Sequence, residues 1–302
     1  MISSYYPIDK SWTIRMGFLD LAKGYKDIHE FLENEEILSD DLKALKRVCE
    51  KWDTSEPLDV GESGTLYRIL RFYFWKKGEN REFILRGTLK NRNICDNPEI
   101  VKWPLERLKD EKLDKNTSQW QSAAILSAFV FNEDIKKIEN PDPKVQLTYD
   151  GKDHWKQRRD ANTGWSPRYD STIASQINAY VKFLETGEMN FKPKHSEDYC
   201  FARAFNLITP EEGQKRFPSL EGHETNRIIE MEKVLEYASG DGTVNSKDHR
   251  VIQAVVMNYA SKKIDLGVRH KNAVNKSWPE FWEFMEYCNK IPKYKQAKFG
   301  TY

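Results

Sequence analysis

Few features of this sequence announce a compartment or a cofactor. No apolar run approaches the ~20 residues that a membrane span requires. The start, MISSYYPIDK, has no basic segment leading into an apolar one, so no secretion signal is expected. Net charge is almost absent: 48 basic against 47 acidic side chains leave +1, which removes bulk attraction to nucleic acid or an anionic bilayer. The four cysteines, Cys49, Cys95, Cys200 and Cys288, form no C-x-x-C pair and no cluster with histidine. Reduced thiols in a cytoplasmic protein without a metal site are the expectation. The phosphate-loop signatures G-x-x-x-x-G-K-[ST] and G-x-G-x-x-G are missing too.

What is present is length, mixed charge and a recurring pattern. At 302 residues the chain suits two domains, and its interspersed charges read as solvated surface of a soluble α/β protein. Helical patterns open through short polar turns near Ser11, Gly64, Ser118, Ser166, Asp198, Glu224, Asp248 and Lys276. The runs EFILRG, VQLTYD and KIDLGVR read as strands. The openings are spaced by 53, 54 and 48 residues in the first half and by 26, 24 and 28 in the second, as a structural repeat would produce. Residues 139–144 and 151–164 read as loops, and 187–198 as a linker.

The residues at these openings carry the chemistry. Lys10-Ser11 is followed by Arg15 on the same helical face, and Gly64-Thr65 by Arg68. Thr117-Ser118-Gln119, Ser166 with Tyr169, Asp198, HETNR (223–227), Asp248-His249-Arg250 and Asn275-Lys276-Ser277 follow in order. Taken singly, Ser, Thr and Asp here are helix caps worth ~1 kcal/mol each. Taken together, helix N-termini with arginine forks and lysine point charges make anion sites. The aromatic run SWPEFWEFMEY (277–287) reads as core at helical spacing.

That ordered set resembles the 5-enolpyruvylshikimate-3-phosphate synthase family of enolpyruvyl transferases. DKSWTIR (9–15) is similar to its Lys-Ser-x-x-x-Arg entry, and GESGTLYR (61–68) to its Gly-Asn-x-Gly-Thr-x-x-Arg block. LKNRN (89–93) resembles the segment carrying a phosphate-binding arginine, and TSQWQSA (117–123) the Ser-Ser-Gln helix. SPRY (166–169), HETNRI (223–228), DHRVIQA (248–254) and NKSWPEFWE (275–283) are similar to the Ser-x-x-Tyr, Lys-Glu-Thr-Asp-Arg, Asp-His-Arg and Lys-Ser/Thr-aromatic-Pro-x-Phe blocks.

The resemblance implies an α/β (α+β), two-lobed enolpyruvyl transferase fold of inside-out barrels built from repeated βαβαββ-type units, with a cleft that closes between the lobes. Residues 12–186 would form the shikimate 3-phosphate lobe, and 1–11 with 187–302 a shortened phosphoenolpyruvate lobe. The implied reaction moves the enolpyruvyl group of phosphoenolpyruvate to the 5-hydroxyl of shikimate 3-phosphate and releases phosphate, in aromatic amino acid biosynthesis. It would be run by a cytoplasmic monomer with no cofactor and no metal. Ser11, Arg15, Thr117, Ser118, Gln119, Ser166, Tyr169 and His223 would hold shikimate 3-phosphate. Lys10, Gly64, Arg92, Gln119, Arg227, Arg250 and Lys276 would hold phosphoenolpyruvate. Asp198 would be the base on the hydroxyl and Glu224 a proton donor, with Lys10 and His249 supporting proton traffic; Arg68 would brace the glycine loop.

The sequence departs from the family pattern in three ways. It is short between Tyr169 and Asp198 and between Arg227 and Asp248. Glu62 replaces the usual asparagine beside the phosphoenolpyruvate pocket. His223 and Asn226 replace a lysine and an aspartate. The neighbourhood of Asp198, SEDYCFARAF, also resembles an earlier family segment, which would remove its catalytic role. A non-catalytic relative that binds an anionic metabolite, or a transferase with another acceptor, are the alternatives.

Overall fold

The computed structural model of the chain describes residues 2–91, 117–134, 137–217, 220 and 225–291. The chain folds as two compact units: an N-terminal unit, Ile8–Arg168, and a C-terminal unit made of Met1–Pro7 with Tyr169–Tyr302. Both are rich in helix, and their strands are few and short.

In the N-terminal unit the helices are α1 (Lys10–Ala22), α2 (Asp27–Asn34), α3 (Asp40–Lys51), α4 (Gly64–Lys77), the one-turn α5 (Gly87–Lys90), α6 (Thr117–Val130) and α7 (Pro143–Asp160). Strands β1 (Leu58–Gly61) and β2 (Phe83–Leu85) flank α4 and pair in parallel, which makes a β–α–β crossover. Helix α1 is the centre: every residue from Trp12 to Leu21 is buried, as expected of a helix enclosed on all sides. Phe18 and Leu19 of α1 share one core with Leu45 of α3, Leu70 of α4 and Trp120 of α6. Under this core lies Asp20, fully buried. Its Oδ1 accepts from Trp155 Nε1 and Arg158 Nη2, each at 2.7 Å, and from Arg159. Burial holds its pKa above the usual carboxylate range despite both arginines.

The C-terminal unit carries α8 (Ser171–Thr186), α9 (Tyr199–Ala204), α10 (Pro210–Arg216), α11 (Arg227–Gly240), α12 (His249–Ser261) and α13 (Phe281–Lys290). Strands β3 (Thr243–Val244) and β4 (Gly267–Val268) pair in parallel around α12, a second β–α–β crossover. Here, unlike in the N-terminal unit, the crossover helix is itself the central one, with His249 to Tyr259 all buried. Residues 1–7 join this unit through Tyr5, whose ring lies 5.8 Å from Phe284 and 5.3 Å from Tyr287.

Several expectations are corrected here. Among the described residues there is no closed barrel; each sheet has two strands, and the chain is α-rich rather than evenly α/β. VQLTYD is helix, not strand. Asp142 caps α7 by accepting from Lys144 N and Pro143 occupies the first turn; Val145, Thr148, Tyr149, Trp155 and Arg158 are then buried at helical spacing. The expected loop 151–164 is helical as far as Asp160. The helix expected at Ser166 starts at Ser171, capped by Asp170. The division between units falls at 168/169, so α8 belongs to the C-terminal unit, where Ile173, Ile177 and Tyr180 enter its core.

Among the described residues no helix is long and apolar enough to cross a membrane. Cys49, Cys200 and Cys288 are buried; burial pushes the Cys49 thiol up to about 12, so it is a packing residue and a poor nucleophile.

Candidate functional site

Each unit gathers the starts of several helices, and of the cations expected from the sequence Lys10, Arg15, Arg68, Arg227 and Arg250 stand in or bond to the first turns there. In the N-terminal unit Asp9 caps α1 by accepting from Trp12 N at 3.0 Å. Lys10 Nζ lies 2.6 Å from Asp41 Oδ2, in the first turn of α3. Arg15, only 1% exposed, ties three helices together. Its Nε donates to Thr148 Oγ1 of α7 at 2.8 Å, its Nη2 to Ser122 Oγ of α6 at 3.3 Å, and its Nη1 to the carbonyl of Ser11 at 2.8 Å. Lys144 Nζ, from the first turn of α7, reaches Ser11 Oγ at 3.4 Å. Arg68, 2% exposed, donates to the carbonyl of Gly64 at 3.2 Å and to Gln119 Oε1 of α6. The first turns of α1, α3, α4, α6 and α7 are thereby joined by side chains, and their partial positive charges add to those of Lys10, Arg15, Arg68 and Lys144.

Glu62 supplies a compensating charge. Its Oε2 accepts from Thr88 N at 3.1 Å and Thr88 Oγ1 at 2.8 Å, so it serves the start of α5. Gly87 permits this: its φ is +46°, and a Cβ there would stand 1.7 Å from Glu62 Oε1. Gly87→Ala is expected to cost at least about 1–2 kcal/mol from the left-handed backbone alone, read as a lower urea midpoint with an unchanged slope. An unchanged midpoint would show that Glu62 does not dock there.

In the C-terminal unit Asp248 is the hub. Fully buried, it caps α12 by accepting from Arg250 N at 2.9 Å and grips Arg227 through Nε at 2.9 Å and Nη2 at 3.2 Å. Thr225 Oγ1 adds a contact at 3.3 Å. Arg250, 3% exposed, stands with Nη2 at 3.7 Å from Asp170 Oδ2 and 3.6 Å from Glu197 Oε2. Its Nη1 is buried without a hydrogen-bond partner among the described residues. The starts of α8, α9, α11 and α12 are thus linked. His249 and Lys276 are buried, and Lys276 ends the 3-10 turn Lys271–Lys276 rather than opening a helix.

The remaining expected residues divide as follows. Thr117 and Ser118 open α6. Ser166 is exposed in the N-terminal unit. With Trp12, His154, Arg158 and Trp165 it lines a cavity of about 10 Å³, room for one water. Tyr169, in the C-terminal unit, is 53% exposed, its ring edge-on to Tyr6 at 6.5 Å. Asp198 is 3% exposed and its oxygens are taken by Gln176 Nε2, Lys194 N and His195 N. Arg92, His223 and Glu224 lie outside the described residues. Sequence reasoning missed Asp41, Lys144 and Asp170 as members of these clusters. All three stand at helix starts, so their cap positions were the available signal.

Among the described residues no group of three or more His, Cys, Asp or Glu side chains could hold a metal ion. Comparison with protein-family models, with curated proteins and with solved structures finds no match to this chain.

Proposed function

We propose that this chain is an enolpyruvyl transferase that moves the enolpyruvyl group of phosphoenolpyruvate to the 5-hydroxyl of shikimate 3-phosphate and releases phosphate. The observation that carries the reading is the gathering of helix starts around buried or half-buried cations in each unit. Residues chosen from the sequence for anion chemistry, Lys10, Arg15, Arg68 and Gln119 in one unit and Arg227 and Arg250 in the other, fall into these clusters. Oriented N–H groups at helix starts, with cations beside them, favour a phosphate or carboxylate. The presence in each unit of a parallel β–α–β crossover and of one helix enclosed on all sides supports a reduced form of the two-lobed family fold.

In this reading Ser11, Arg15, Gln119 and the start of α6, with Lys10 and Gly64, make the anion site of the N-terminal unit, and Arg227, Arg250 and Lys276 supply the positive charge of the C-terminal unit. The Glu62 carboxylate is turned to the start of α5, where Thr88 N and Oγ1 donate to it.

A binding-only relative is the second reading. It is favoured by the internal pairing of Lys10 with Asp41 and of Arg227 with Asp248. A coupled phosphate assay on the purified protein separates the two. Transfer requires phosphate release from phosphoenolpyruvate only when shikimate 3-phosphate is present; binding of both ligands with no release at millimolar concentrations supports the second reading.

A further inference from the structure

The N-terminal unit holds a small cavity that the proposed reaction leaves unused. Trp12 and Met16 of α1, His154, Trp155 and Arg158 of α7, and Trp165 with Ser166 line it. All seven belong to one unit. Trp12, Met16, Trp155 and Arg158 are buried, whereas His154 and Ser166 are exposed. Met16 packs over Gly151, where a Cβ would stand 2.4 Å from Met16 Cε. The Trp165 ring lies against Phe31, with centroids 5.7 Å apart.

Two buried N–H groups of the lining residues, Arg158 Nη1 and Trp165 Nε1, have no hydrogen-bond partner among the described residues. The Arg158 guanidinium carbon lies 4.9 Å from the centre of the Trp165 ring, so the two donors share one locality. Arg158 Nη2 is already engaged, donating to Asp20 Oδ1 at 2.7 Å, and Trp155 Nε1 is spent on the same oxygen. Asp27 Oδ1 stands 4.0 Å from Nη1, beyond hydrogen-bond reach, and Asp27 Oδ2 is held by Arg159 at 2.9 Å. Neither carboxylate lines the cavity.

The lining thus offers donors and apolar walls, and calls for an acceptor. A cation is repelled by Arg158 and by Arg168, whose guanidinium carbon stands 4.4 Å from the centre of the Trp12 ring. A water would accept from both N–H groups, but its own hydrogens need acceptors too, and the side chains of Trp12, Met16 and Trp155 present no oxygen or nitrogen acceptor. A halide needs donors alone, and the positive edges of aromatic rings suit it. It is slightly larger than water; Met16, unbranched and flexible, yields the difference.

We propose that this cavity is a halide site in which Arg158 Nη1 and Trp165 Nε1 donate to one chloride ion. The site is independent of the enolpyruvyl-transfer reading. Arg158 already ties α7 to Asp20 of α1. A halide on its other terminal nitrogen holds the guanidinium at both ends, so occupancy stabilises the N-terminal unit.

The test uses the full chain, with chloride exchanged for gluconate, which is too large for the cavity. Constant ionic strength keeps general screening fixed. Tm is expected to rise by roughly 2–4 °C and to saturate. Trp165→Phe keeps a ring and removes the N–H; it should need about tenfold more chloride, or more, for the same rise. Crystals soaked in bromide should show an anomalous peak within hydrogen-bond distance of Arg158 Nη1 and Trp165 Nε1. No saturating rise in the parent overturns the proposal, as does an unchanged chloride midpoint in Trp165→Phe. A water at that position in the bromide-soaked crystal overturns it too.

Discussion

Asp248→Ala is expected to lose about 3–5 kcal/mol of stability, the usual cost of removing one partner from a buried ion pair. Asp248 is fully buried, and three interactions end on its carboxylate: the bidentate grip on Arg227, the capping bond from Arg250 N and the Thr225 hydroxyl. Its loss leaves the Arg227 guanidinium, 2% exposed, without the carboxylate it now holds. It also uncaps α12, the central helix of the C-terminal unit. Replacing both partners, Arg227→Met with Asp248→Leu, should restore much of the loss, because an apolar pair leaves no buried charge. Urea unfolding of the parent and these two variants measures this. A loss below about 1 kcal/mol in Asp248→Ala would mean that the pair is not buried as described.

Lys10→Ala is expected to remove turnover while leaving the fold in place. Lys10 opens the central helix of the N-terminal unit, beside the starts of four others. There its ammonium adds mobile positive charge to fixed helix dipoles. Removing one such donor from a water-excluded site costs about 10²–10³ in rate. Its partner Asp41 tolerates the loss because it lies in the first turn of α3, where the dipole favours a carboxylate; stability should fall by no more than about 1–2 kcal/mol. Phosphate release is measured alongside circular dichroism and urea unfolding. Activity within a few-fold of the parent would contradict the assignment of Lys10.

What the sequence disclosed was local chemistry. Asp9 before Lys10, Asp248 before His249 and the Gly64 and Thr117 openings mark true helix starts, since a cap is decided within four residues. Ser39 with Asp40 and Asp41 offered the same signal for α3 and was passed over. Six alternating residues, VQLTYD, could not distinguish strand from helix; only burial as far along as Trp155 and Arg158 decides it. The ion pairs were beyond reach, because Arg15 meets Thr148 across 133 positions and Arg68 meets Gln119 across 51. No spacing rule specifies such partners.

The central claim is that the clustered helix starts recognise two anionic metabolites, and equilibrium titration of the purified protein tests it most directly. Calorimetry should show shikimate 3-phosphate binding once per chain, and phosphoenolpyruvate binding more tightly after it. At a hundredfold excess over Kd the first ligand alone should raise stability by about 2.7 kcal/mol. No heat and no shift in Tm with either ligand at millimolar concentration would contradict the account.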